Sequence, residues 1–214
     1  IFCLARASEF RDNDTGHHVI RVGKFAGAIA RELGYSPTQV EALEQAAQLH
    51  DVGKIGIPDA ILHKPGKLDP DEYEFIKKHV GYGKQIIECM PEGEWQNLKH
   101  HTKLGGQLLN VKSEPIMRMA SRIALTHHEW WNGEGYPLGL AGEDIPVEGR
   151  ITAVADVYDA LSSKRPYKKP FPREKCFQML EEKRGIQFDS RVLDAFFART
   201  DDINDIQIRY ADVD

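Results

Sequence analysis

The stretch SPTQVEALEQAAQLHDVGKIGIPD, residues 36–59, holds a helix start, a helix body and a chemical oddity at its end. Ser36 stands as N-cap, Pro37 at the first helical position and Gln39 as the closing residue of a capping box, which together satisfy backbone N–H groups that have no partner inside a helix. Val40, Leu43 and Ala47 then recur at helical spacing and predict one buried stripe. The helix ends at His50 and Asp51, before Gly53. A helix points adjacent side chains about 100° apart. That divergence is useful if Asp51 bridges two metal ions and His50 binds one of them from the side. Imidazole and carboxylate are ligands that Fe, Mn, Zn and Ni accept.

The same periodicity extends outward. Val19, Val22, Ala26, Ile29 and Leu33 form another stripe, and DPDEYEFIKKH opens with Asp69, Pro70 and Glu72 in the cap, first-turn and box positions. Further helices are predicted at about 114–128, 147–162, 172–184 and 190–199, and alternating strand patterns are almost absent, so the fold class is all-α. Loops dense in Gly or Pro fall at KIGIPDAILHKPGK, WNGEGYPLGLAGEDIP and KRPYKKPFPR, the last two too long for mere turns. Residues 71–87 match residues 93–109 at an offset of 22, aligning His79 with His101, which reads as a duplicated helix lengthening the domain by one hairpin.

Composition sets outer limits. A chain of 214 residues suits one domain, able to bury roughly 70% of its unfolded surface. We expect residues 1–214 to be a single domain, with 1–10 the end of a linker helix and 200–214 a C-terminal tail. The opening IFCLARASEFRD lacks a methionine and leads us to expect an upstream part. Cys3, Cys89 and Cys176 are scattered, without C-x-x-C spacing, which argues against a disulfide framework or zinc ribbon and fits a reducing cytoplasm. A net charge of -5 disfavours long nucleic acid. No run approaches the roughly 20 apolar residues of a membrane span, so no membrane contact is expected from this segment.

All nine histidines precede residue 129, and several are paired: His17–His18, His100–His101 and His127–His128. His127 and His128 end the apolar run IMRMASRIAL just before a glycine-rich loop. Asp156 lies within ITAVADVYDAL, where a carboxylate among apolar neighbours needs a partner or a metal to offset its desolvation.

HDVGKIGIPD, KPGKL, HHEWWNGEGYP, GEDIPVEGRI, DVYDALSSKRPYK and the FD pair at 188–189 occur in this order and together resemble the HD-GYP family of metal-dependent phosphodiesterases, from about residue 5 to 198. The resemblance implies an HD-type helical bundle, a binuclear or trinuclear metal centre, and hydrolysis of cyclic di-GMP to pGpG and then GMP. It implies metal ligands at His18, His50, Asp51, one histidine of the repeat, His127, His128 and Asp156. Distance to the HD pair favours His79, whereas distance to His127–His128 and local wording favour His101, the preferred ligand, with His79 then a surface histidine. Asp14 matches a position where trinuclear members carry glutamate; its shorter side chain favours two ions over three. Fe or Mn is expected first, with Ni or Zn as alternatives.

Asp51 and Lys54 are the expected catalytic pair, Lys54 as a fixed positive charge on a phosphoryl oxygen. Arg165, Tyr167 and Lys168 would grip the second phosphate and stack on a guanine. Gly135, Tyr136 and Pro137 form the loop that names the family, assigned to shaping the site or docking a diguanylate cyclase domain, and Asn132 stands where the family usually has aspartate. An upstream receiver or sensor domain and a homodimer complete the expected partners. The alternatives are a weakly catalytic cyclic di-GMP-binding or docking module, and a phosphodiesterase for another cyclic dinucleotide.

Overall fold

The computed structural model describes residues 17–88, 113–163 and 170–211, with Leu4, Ala5 and Ser8. Its named helices run in the order α1 (His18–Glu32), α2 (Pro37–Ala47), α3 (Asp59–Leu62), α4 (Pro70–Ile76), α5 (His79–Glu88), α6 (Ser113–Thr126), α7 (Val147–Ser162), α8 (Arg173–Glu181), α9 (Ser190–Ala198) and α10 (Thr200–Arg209). A 3-10 turn, Val52–Gly56, follows α2. No strand occurs among the described residues, only an isolated bridge between Arg184 and Phe188.

The local signals act as expected. Ser36 accepts from the Gln39 N–H while the Gln39 side chain accepts from Ser36 N–H, and Asp69 and Glu72 do the same for α4. The stripe of α1 is buried at Val19, Val22, Ala26 and Ile29, and packs against α2, α7, α9 and α10. Helix α6 packs on α2, α5 and α7, so four helices surround Phe25, Leu43, Ile123, Ile151 and Tyr158, all fully buried. Each such side chain contributes roughly 1.5–3 kcal/mol through burial.

Three expectations change. The first copy of the repeat is two helices, α4 and α5, separated at Lys77–Lys78, so His79 opens a new helix; the second copy, 93–109, lies outside the described residues. Thr200–Arg209, expected within a tail, is a helix whose Ile203 is fully buried; the surrounding charges of TDDINDIQIR hide that short stripe. Near the start, Ala5 is buried in the core and Leu4 packs against it, so this part of the expected linker helix is seated on the domain.

Candidate metal centre

The centre is built where helices end or begin. Helix α2 is regular to Ala47, then unwinds through a turn carrying His50 and Asp51. The 3-10 turn after them lies so close to the start of α5 that a Cβ on Gly53 would be driven into the His79 carbonyl and the Gly83 amide. Only glycine permits that approach, and it brings Asp51 to His79. His18 opens α1, His127 and His128 follow α6, and Asp156 sits midway along α7.

Asp51 presents its two oxygens to two different groups. Oδ1 lies 3.2 Å from His79 Nε2 and 3.6 Å from His127 Nε2. Oδ2 lies 3.4 Å from His50 Nε2 and 2.8 Å from the Lys54 ammonium. Asp156 Oδ1 is 3.6 Å from His18 Nε2 and 3.7 Å from His50 Nε2. The ligand atoms of Asp51, His79, His127 and His128 all lie within 4.8 Å of one another, as do those of His18, His50 and Asp51. Asp51 is common to both sets.

Most of these imidazoles are oriented from behind. His50 Nδ1 meets the Ala47 carbonyl at 2.9 Å, His79 Nδ1 that of Ile76 at 2.7 Å, and His127 Nδ1 that of Ile123 at 3.0 Å. A carbonyl only accepts, so each Nδ1 carries the proton and each Nε2 offers its lone pair inward. Among the described residues, His50 Nε2, His79 Nε2, His127 Nε2 and Asp51 Oδ1 are buried without a hydrogen-bond partner. Buried polar atoms are rarely left so. Four of them converging on shared points is the signature of groups that donate to cations, so the residues fit divalent ions.

The electrostatics agree. Burial pushes His127 and His128 below the usual histidine range, and for His128 the neighbouring His127 adds to the effect, keeping both rings neutral and able to ligate. Burial opposes charge on His50, but Asp51 and Asp156 outweigh it and raise its affinity for positive charge well above the usual range, so that without a cation a second proton takes the Nε2 position an ion would otherwise hold. Burial likewise opposes charge on Asp51 and Asp156, yet Lys54 and His50 hold the first well below the carboxylate range, and His50 and His18 the second. The centre therefore attracts positive charge.

The expectation of a surface position for His79 does not hold. His79, expected on the surface if His101 were the ligand, is buried within the cluster, whereas His101 lies outside the described residues, as do Asp14, Arg165, Tyr167 and Lys168. His63 is exposed, and His17 is half-buried with Nδ1 3.2 Å from the Ala211 carbonyl.

The glycine-rich loop forms one wall. The Tyr136 ring stacks on His128 with centroids 4.8 Å apart, and the Tyr136 N–H donates to the His128 carbonyl. The Tyr136–Pro137 peptide is cis. A Cβ on Gly135 would collide with the backbone of Glu129 and Trp130, so the loop folds tightly onto the residues after His128. Glu129, which the sequence reading did not single out, is buried and accepts from the N–H groups of Leu138 at 2.7 Å and Leu140 at 3.0 Å. Asp159, also passed over, accepts from His18 Nδ1 at 2.8 Å. Its signal was its place three residues after Asp156, on the same helix face.

Comparison with known proteins gives a consistent answer. A sequence profile for the HD domain matches residues 4–98 and 92–192. The chain is 42% identical over 211 residues to a cyclic di-GMP phosphodiesterase of Thermotoga maritima, covering 99% of this chain and 51% of that protein. It is 42% identical over 192 residues to the cyclic di-GMP phosphodiesterase response regulator RpfG of Xanthomonas campestris, covering 90% and 45%. It is 40% identical over 202 residues to 3'3'-cGAMP-specific phosphodiesterase 2 of Vibrio cholerae, covering 94% and 34%. The chain thus spans about half the length, or less, of these relatives. A crystal structure of a cyclic GMP-AMP-specific phosphodiesterase from V. cholerae matches 98% of this chain and 52% of that one with a TM-score of 0.55 at 18% identity, a likeness of fold. With its all-helical bundle, its HD pair at the centre and its GYP loop as a wall, the chain belongs to the HD domain family, in the HD-GYP branch.

Proposed function

We propose that this chain is the catalytic domain of a divalent-metal-dependent phosphodiesterase that opens cyclic di-GMP to pGpG and carries it on to GMP. The observation that carries the reading is Asp51, a single carboxylate whose two oxygens face two separate groups of imidazoles. His18, His50, Asp51 and Asp156 would hold one ion, and Asp51, His79, His127 and His128 the other, with Fe or Mn favoured over Ni or Zn. When bound, such a pair supplies Lewis acidity that activates water and offsets charge on a phosphoryl oxygen.

The chain's own groups do the positioning. Lys54, beside Asp51 and partly exposed, holds a positive charge where a phosphoryl oxygen would enter. Tyr136 packs against His128 and fixes that ring from the loop side. Arg165, Tyr167 and Lys168 would grip the second phosphate and a base. In the longer protein, a receiver domain would precede this one, as the likeness to a response regulator supports. The GYP loop would dock a diguanylate cyclase domain, and a cytoplasmic homodimer would be the working form. No helix among the described residues is long and apolar enough to cross a membrane.

A second substrate, 3'3'-cGAMP, is favoured by the relatives named for it. Both readings are tested with protein purified anaerobically and loaded with Fe(II) or Mn(II), its products separated by chromatography. The expected result is pGpG or GMP from cyclic di-GMP, abolished in Asp51→Ala, with 3'3'-cGAMP the poorer competitor. Preferential turnover of 3'3'-cGAMP would reverse the substrate order. Metal-replete protein that binds the nucleotide without turnover would make the domain a receptor.

A further inference from the structure

His18 differs from its partners in how it is held. His50, His79 and His127 each give the Nδ1 proton to a carbonyl three or four residues earlier. His18 is the first residue of α1 and has no preceding turn of that helix to receive its proton. Its Nδ1 instead meets Asp159 Oδ2 at 2.8 Å, across 141 residues of sequence. Asp159 is in turn gripped by Arg21, whose Nε donates to Oδ1 at 2.6 Å and Nη2 to Oδ2 at 3.0 Å. His18, Arg21 and Asp159 are all buried, and Arg21 is the largest fully buried side chain among the described residues. The third arm of the network leaves the centre altogether: Arg21 Nη1 donates to the carbonyl of Tyr210, just past α10, at 2.9 Å. Helix α10 is fastened to α7 from the same side, Gln207 accepting from the Tyr158 hydroxyl and donating to the Ser162 carbonyl.

We infer that Asp159 and Arg21 are positioning residues for one of the two ion sites, holding His18 in its ligating tautomer, and that this half of the centre thereby depends on the C-terminal helix. The inference rests on the two-ion reading of Asp51. A carboxylate behind a ligating imidazole fixes its tautomer and raises its basicity, and losing such a partner typically weakens metal binding roughly 10–100-fold. None of His18, Arg21 and Asp159 is among the proposed ligands of the other site, which should therefore keep its affinity.

The test is Mn(II) binding to the full chain, by equilibrium dialysis with elemental analysis, alongside thermal melting without metal. The variants are Asp159→Asn, the paired Asp159→Asn/Arg21→Met, which leaves no lone buried cation, and His18→Ala for comparison. Asp189→Asn serves as control, because Asp189 is another buried carboxylate held by an arginine, Arg150, but is not among the clustered ligand groups. We expect the parent to hold two ions, and Asp159→Asn and the paired variant to keep one at parental affinity and bind the other roughly 10–100-fold more weakly. His18→Ala should lose the same ion. Asp189→Asn should melt lower and keep both ions. A parent that holds fewer than two ions overturns the two-ion reading itself. A parent with two ions, matched at equal affinity by the folded Asp159 variants, overturns the positioning role alone. Should Asp159→Asn fail to fold, the paired variant and Arg21→Lys decide; the lysine keeps the charge but cannot span Asp159 and Tyr210, and parental affinity for both ions in these two would overturn the role.

Discussion

Residue by residue, the centre depends as much on what is small as on what binds. Gly53 has no side chain to interfere between the 3-10 turn and α5, and that contact sets the distance from Asp51 to His79. Gly53→Ala should therefore cost about 1–3 kcal/mol by overpacking, measured by urea unfolding, and should also lower ion affinity. Unchanged Mn(II) binding in a destabilised Gly53→Ala would show that the contact serves stability alone. Legibility at this scale was uneven for physical reasons. His50, Asp51, His127, His128 and Asp156 were readable because a charged or polar residue ending or interrupting an apolar run demands a partner. His79 was the second choice because two copies of one pattern compete for one place, and wording does not show that His79 opens a helix beside Asp51. Arg21 was unremarkable in sequence, since a lone arginine on an amphipathic helix ordinarily faces water; its burial follows from Asp159, which is 138 residues away.

At the level of elements, helix ends do the chemical work and helix bodies supply the packing. Capping boxes at Ser36 and Asp69 and the stripes of α1 and α2 were legible because they are local, repeating patterns. Helix α10 was not, because two isoleucines among aspartates carry its whole buried face. The loop after α6 has almost no regular structure, yet Glu129 pins it from within through two N–H groups. Glu129→Ala should leave these donors without their acceptor, at about 1–3 kcal/mol each where they stay buried. Hydrogen exchange at Leu138 and Leu140 should speed up markedly, with smaller change in α7. Equal exchange in variant and parent would mean that the loop is held by its glycine-dictated path instead.

Taken whole, the proposed ligands come from α1, the turn after α2, α5, the end of α6 and α7, so two ions sharing Asp51 would together tie five parts of the chain at one centre. Ligands that bind only the folded state stabilise it by mass action, by about 2.7 kcal/mol at a hundredfold excess over Kd. Mn(II) should accordingly raise the melting temperature and a chelator lower it again, both effects shrinking in Asp51→Ala; a melting curve indifferent to both would argue that the centre takes no ion. The all-helical class was visible because most of the longer helices show their own period, α10 being the exception. Which helices meet at the centre was not, since that depends on contacts such as His18 to Asp159 that span most of the sequence.

The local anchoring of His50, His79 and His127 has a consequence for how such a domain tolerates change in length. Each ring takes its aim from its own few preceding residues, so its direction travels with that short segment and does not depend on the path of the chain between segments. Extra residues between two such segments need only let the chain return to the same place. Closing a flexible connection costs only about 0.6 kcal/mol more for each doubling of its length. A connection between two such segments can thus change in length while each ring keeps its aim.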